Sequence, residues 1–270
     1  MPTDVKNDHS LYLEEALRIS SEAGACAMPY FRKPLDVISK EDASPVTVAD
    51  RRTEELIRQR LSERFPDCGI LGEEFGTVRG DSRLLWIVDP IDGTKSFISG
   101  MPLFSVLVAL FDQEERQSVL GVLTFPAVGE QYASTVGQGA WFGEHRLKTA
   151  ESKPLSKAMV YVNEGDRIIA REDDLVSRLN AHCGVMRFSY DAYSYCLLAG
   201  GHVDAVIDYG LKPYDYMAAV PLVEEAGGVI TDWQGKPLTL ESDGRVAAAS
   251  SRSVHEELLE VLSVDRVAFI

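Results

Sequence analysis

Residues 84–97 read Leu-Leu-Trp-Ile-Val-Asp-Pro-Ile-Asp-Gly-Thr-Lys-Ser-Phe, an apolar run that delivers two carboxylates, a turn and a hydroxyl to one point. The stretch Leu84–Val88 is short and rich in large or β-branched residues, which suits a strand buried on both faces. Pro90 should end it, because proline has no N–H to give to a ladder. Asp89 and Asp92 then lie just past the strand tip, Gly93 supplies the freedom of a sharp turn, and Thr94 adds a hydroxyl and a backbone N–H. Clustered hard oxygen donors suit Mg²⁺ or Mn²⁺ rather than zinc. A strand followed by an ordinary Asp-Gly turn would give the same local string without any ion.

Three other segments bear on that choice. Gly69-Ile-Leu-Gly-Glu-Glu-Phe-Gly76 again sets acids, Glu73 and Glu74, after an apolar pair. Adjacent acids repel; a solvated loop tolerates this, and a divalent cation turns it into attraction. In Ser44-Pro-Val-Thr-Val-Ala-Asp50, Thr47 and Asp50 are spaced as a capping box with Asp for Glu, opening a helix to about Arg64. Asp50 in its first turn would stabilise the helix dipole even with no metal nearby. Lys212-Pro-Tyr-Asp-Tyr-Met-Ala-Ala-Val-Pro-Leu-Val-Glu-Glu-Ala-Gly-Gly228 places Asp215 at another helix start, where a plain cap is the alternative, and ends in a Gly-Gly stop. Pro221 falls inside it, so the helix should kink or restart there.

In this order and at these distances, Ser44–Asp50, Gly72-Glu-Glu74, Asp89-Pro-Ile-Asp-Gly-Thr94 and Tyr214-Asp215 through Ala226-Gly-Gly228 resemble the inositol monophosphatase family over nearly the whole chain. The strings Ser44-Pro-Val-Thr47, Gly72-Glu-Glu-Phe-Gly76 and Leu211-Lys-Pro-Tyr-Asp215 are most similar to the branch of that family acting on histidinol phosphate. Tyr214 departs from the tryptophan usual before the last metal-binding Asp in the inositol phosphatases. The resemblance implies a layered αβαβα sandwich and a phosphomonoesterase using two or three Mg²⁺ ions, with Mn²⁺ as a substitute. By position, Glu73, Asp89, the carbonyl of Ile91, Asp92 and Asp215 would ligate metal. Asp50 and Thr94 would orient the attacking water, with Glu73 as proton acceptor, and the amides of Gly93 and Thr94 would hold phosphate oxygens. Ser189, Asp191 and Asp208, with Asp215, would contact substrate; Asp191 stands where inositol phosphatases have a small residue, so it suits a cationic substrate, the alternative being an N-cap for a helix from Ala192. Hydrolysis of an inositol or sugar phosphate is the nearest alternative activity, and a non-catalytic regulatory protein of the same fold the more distant one. Relatives imply a homodimer.

The remaining sequence sets bounds. At 270 residues and 45% hydrophobic, the chain can bury a sizeable core. A formal net charge of −15 argues against nucleic acid or an anionic membrane surface as partner; the resemblance implies a small-molecule phosphate ester, and bound metal would offset the acidic charge locally. Cys26, Cys68, Cys183 and Cys196 lack the short paired spacing of a zinc site and are expected as buried free thiols. The first residues lack a signal peptide's basic and apolar segments, and no apolar stretch reaches a membrane span, so the expected location is the cytoplasm.

Periodicity predicts helices at about Leu11–Phe31, Asp174–His182, Ala192–Ala199 and Ser253–Leu262, besides those at Asp50 and Asp215. Strands are expected at Leu84–Val88, Ser105–Phe111, Ser118–Phe125, Ala133–Phe142, Met159–Val162, Met186–Phe188, Ala205–Asp208, Val229–Thr231 and Ala247–Ser250. The first half is therefore antiparallel-rich (α+β) and the second alternating α/β, giving two lobes, about 1–150 and 151–270, of one unit with the site at their seam. The five histidines follow no ligand spacing, and most should be surface or capping residues. Trp141 and Phe142 suit core or interface, and Lys40 a solvated loop.

Overall fold

A computed structural model describes residues 9–34, 38–39, 45–172 and 174–263, with 38–39 and 45–46 described as backbone only; Lys40 and Ser44 lie outside them. The strands are β1 (Ile38–Ser39), β2 (Pro45–Val46), β3 (Gly69–Gly72), β4 (Gly76–Val78), β5 (Leu84–Asp92), β6 (Ser105–Asp112), β7 (Gln117–Phe125), β8 (Glu130–Thr135), β9 (Gly139–Phe142), β10 (His145–Arg146), β11 (Met159–Val162), β12 (Val185–Phe188), β13 (Ala205–Asp208), β14 (Val229–Asp232) and β15 (Val246–Ala249). The α-helices are α1 (Ser10–Ala27), α2 (Val48–Arg64), α3 (Thr94–Ser99), α4 (Gly165–Arg171), α5 (Leu175–His182), α6 (Tyr193–Ala199), α7 (Pro213–Tyr216), α8 (Ala219–Glu225) and α9 (Arg252–Ser263).

An eight-stranded sheet runs β10-β9-β8-β7-β6-β5-β3-β4, parallel only between β3 and β5. A five-stranded sheet runs β12-β11-β13-β15-β14, with β11 parallel to both neighbours and β15 antiparallel to both of its own. Because side chains alternate along a strand, β5 feeds two cores. Leu84, Trp86 and Val88 pack with Ile19, Ile57 and Leu61 of α1 and α2. Leu85 and Ile87 face the middle layer of α6 and α8, whose other side meets Val206, Ile230 and Ala248 of the second sheet. That sheet's far face, through Val160, Ile207 and Ala247, packs on α4, α5 and α9. Helix, sheet, helix, sheet, helix is the five-layer sandwich that the sequence implies.

Several expectations need correction. Pro90 does not end the strand: β5 runs to Asp92 and the register slips between Asp89 and Asp92, so the proline sits in an irregularity where no ladder donor is required. The expected strand Ala133–Phe142 is two strands turning at Val136–Gln138. Helix α1 stops at Ala27 and tightens into a 3₁₀ turn at Met28–Tyr30, with Pro29 in it. At Pro221 the expectation holds, for the helix restarts: α7 ends before it and α8 places it in its first turn, where no intrahelical donor is lost. Most of the histidines are exposed as expected; His9, at the N-cap position of α1, and His255 are buried, with Nε2 of His255 2.9 Å from the hydroxyl of Thr231. All four cysteines are free, but only Cys196 is fully buried. Among the described residues no helix is long and apolar enough to cross a membrane.

Candidate active site

The irregular end of β5 turns Asp89 and Asp92 toward the cleft between the sheets, and α7 brings Asp215 to the same place. Asp89 accepts the N–H of Ile91 at 3.0 Å, closing a local turn. Asp92 is held on Oδ2 by the hydroxyl of Ser105 at 2.9 Å and by the N–H of Ala192 at 3.0 Å, so β6 and the start of α6 fix its angle. Asp215, in the first turn of α7, accepts the N–H of Lys212 at 2.6 Å. Carboxylate oxygens of Asp89, Asp92 and Asp215 all lie within 4.8 Å of one another.

Burial raises the pKa of Asp89 well above the carboxylate range, and the neighbouring Glu73, Asp215 and Asp92 raise it further. Asp92 is raised by burial and then by Asp191 and Asp215, and burial pushes Asp215 up to about 6. Among the described residues no Lys or Arg pairs with these three: Lys95 bonds Glu164 at 3.1 Å and Asp166 at 3.5 Å, and Arg167 bonds Glu164 at 2.8 Å. Like charges at least half-buried, with no cationic side chain paired to them among the described residues and presenting oxygen donors alone, fit a hard divalent cation. Glu73, at the turn after β3, lines the same cavity of about 130 Å³, as do Ile91, Gly93 and Thr94.

Asp50 has two functions, each on its own oxygen. Oδ2 accepts the N–H of Thr47 at 2.8 Å and its hydroxyl at 2.6 Å, completing the expected capping box, while Oδ1 lies 3.5 Å from the hydroxyl of Thr94. That hydroxyl also approaches the carbonyl of Ile91 at 3.3 Å. Capping and contact with the site are therefore compatible in one side chain.

Asp191 does not cap α6, whose leading amide at Ala192 goes to Asp92 instead. It sits at φ 49° and accepts the hydroxyl of Ser96 at 2.5 Å. Asp tolerates this left-handed conformation better than most residues. Its carboxyl lies so near Gly93, at φ 78°, that a Cβ there would fall 2.5 Å from it. Burial pushes Asp191 up to about 6. The residue lines both the cavity of the carboxylate cluster and a second groove formed with Ile169, Phe188 and Tyr190; Ser189 lines only the second. Asp208 is walled in, accepting from Asn163 Nδ2 at 2.8 Å, Tyr195 Oη at 3.1 Å and the N–H of Tyr209 at 2.9 Å, and burial pushes it up to about 7.

Sequence reasoning missed Asn163, Glu164 and Tyr195 in the cavity wall, and Glu54 behind Glu73. Asn163 had a signal, since it follows β11 as Asp89 follows the apolar run of β5. Glu54 had another, standing one helical turn beyond Asp50.

A profile described as the inositol monophosphatase family matches residues 8–264. The chain belongs to that family. This member is 39% identical over 238 residues to a histidinol-phosphatase of Chlorobaculum parvum, covering 87% of this chain and 91% of the relative. It is 36% identical to the chloroplastic bifunctional phosphatase IMPL2 of Arabidopsis thaliana, covering 90% of this chain and 72% of that one. The solved inositol monophosphatase of Zymomonas mobilis superposes with a TM-score of 0.85 at 34% identity, covering 95% of this chain and 99% of that one. As a family member the chain is a phosphatase acting on small phosphate esters.

Proposed function

We propose that the chain hydrolyses histidinol phosphate to histidinol and phosphate, with two or three Mg²⁺ ions held by Glu73, Asp89, the carbonyl of Ile91, Asp92 and Asp215. The observation carrying the metal reading is the Asp89–Asp92–Asp215 cluster, buried at Asp89 and half-buried at Asp215, with no cationic side chain paired to it among the described residues. Bound there, the ions supply Lewis acidity to the phosphoryl oxygens and to the attacking water. The hydroxyl of Thr94, between Asp50 Oδ1 and the Ile91 carbonyl, orients that water and passes its proton on, with Glu73 as acceptor. Asp50 remains a pure acceptor because Thr47 supplies both donors to Oδ2. The amides of Gly93 and Thr94 hold phosphate oxygens.

The substrate reading rests on Asp191. It stands between the metal-facing cavity and the groove with Phe188 and Tyr190, so the alcohol portion of a substrate reaching from one to the other passes a carboxylate and then two aromatic rings. An ammonium and an imidazole suit that sequence of surfaces better than the hydroxyls of inositol. Phosphate release should be measured across histidinol phosphate, inositol phosphate, fructose bisphosphate and adenosine bisphosphate, with chelator as control. The highest kcat/KM should belong to histidinol phosphate; an equal or greater value for inositol phosphate would overturn the assignment, and activity in chelator would overturn the metal centre.

A further inference from the structure

Helix α2 carries a second buried acid, Glu54, four residues beyond Asp50 and therefore on the same face. Its Oε2 accepts the N–H of Glu74 at 2.6 Å, and its Oε1 accepts the N–H of Phe75 at 3.2 Å and Nε of Arg58 at 2.7 Å. Arg58 continues to the carbonyl of Gly76 through Nη2. Gly72 makes room for this seat, since a Cβ there would lie 2.2 Å from Glu54 Oε1. The turn between β3 and β4 is thus fastened at Glu74, Phe75 and Gly76, and the side chain it presents to the cavity is Glu73.

That turn carries an electrostatic load. Glu73 and Asp89 line one cavity, so the two carboxylates repel when both are charged. Hydrogen bonds to a neutral side chain would resist this less well than charge-assisted ones, which are roughly twice as strong. A carboxylate without water is tolerable here because Arg58 and two amides satisfy it.

We infer that Glu54 is a positioning residue for the metal centre, holding the β3–β4 turn so that Glu73 stays aimed at the cluster against the repulsion of its neighbours. The inference rests on Glu73 being a metal ligand, as proposed above. One face of α2 then sets two distant parts of the site, Thr94 through Asp50 and Glu73 through Glu54.

Glu54→Gln keeps the side-chain volume but loses the charge and one acceptor. Calorimetric titration of metal-free protein with Mn²⁺ should show binding weakened about 10- to 100-fold, the scale for residues that orient ligands. The amides of Glu74 and Phe75 should exchange hydrogen faster, while KM at saturating metal stays near the wild-type value. Unchanged Mn²⁺ affinity with only a lower melting temperature would overturn the inference, leaving Glu54 a structural residue. Glu73→Gln, titrated in parallel, separates the two layers of argument: normal Mn²⁺ binding there defeats the ligand reading itself, whereas weakened binding there with normal binding in Glu54→Gln defeats only the positioning role. Should Glu54→Gln fail to fold, Arg58→Gln leaves the carboxylate but removes its charged partner; it should weaken Mn²⁺ binding in the same direction, and unchanged affinity would again overturn the inference.

Discussion

The hydroxyl of Thr94 lies 3.5 Å from one oxygen of Asp50, whose other oxygen closes the capping box of α2 with Thr47. A helix start and the arm proposed for catalysis therefore share one carboxylate, and Thr94 is the part that can be altered without touching the cap. Thr94→Ala should lower kcat by roughly 10²–10⁴-fold with KM little changed, while Thr94→Ser keeps most of the rate. Equal losses in the two variants would show that the hydroxyl is not the operative group.

Asp89→Asn preserves shape and removes one charge from the buried cluster. Turnover should fall by about two decades, since the cation loses a ligand charge. In chelator the same variant should melt above the wild type, because one of several mutually repelling carboxylates has been neutralised. A lower melting temperature under chelation would mean that the cluster carries no net repulsion.

Asp191→Asn separates substrate recognition from chemistry. KM for histidinol phosphate should rise at least about tenfold, equivalent to about 1.4 kcal/mol, while an aryl phosphate with a neutral tail is hydrolysed nearly as before. Equal effects on both substrates would remove Asp191 from recognition, leaving it as the acceptor for Ser96.

His255 gives a pH test away from the site. Burial holds its pKa below the ordinary imidazole value, so the neutral form is favoured in the folded chain. Its contribution is complete above about pH 6.5, the unfolded value, and is lost as pH falls toward the depressed folded value. Against His255→Gln, the wild type should lose relative melting temperature as pH drops from about 8 to about 5. Parallel curves for the two proteins would rule out this contribution.

The parts of the fold legible in the sequence are those set by local pattern. Leu84–Val88 read as a doubly buried strand because both of its faces are apolar, and Thr47 with Asp50 read as a helix start because a capping box is a three-residue affair. By contrast β4 escaped, being three exposed residues with no buried face to leave a pattern, and so did α4, where among its residues only Ile168 is buried. The contiguous string Asp89–Thr94 made half of the candidate site visible at once. Asp208 showed the opposite limit: its spacing gave no hint that Asn163 and Tyr195 would saturate it, because those partners arrive from other elements. Asp191, for which a cap on α6 was the alternative reading, showed the same limit, since its carboxyl goes to Ser96 on another element while the amide of Ala192 is claimed by Asp92.

That claim joins residues 100 positions apart. During synthesis, a chain that has emerged only as far as Phe188 already contains Glu73, Asp89 and Asp92, yet lacks both the amide that sets the angle of Asp92 and the whole of Asp215. An unfinished polypeptide thus offers divalent ions scattered acids rather than a seat. On the proposed metal reading, selection among competing ions then requires the last third of the chain, and a product ending at Phe188 would lack the means to sequester one.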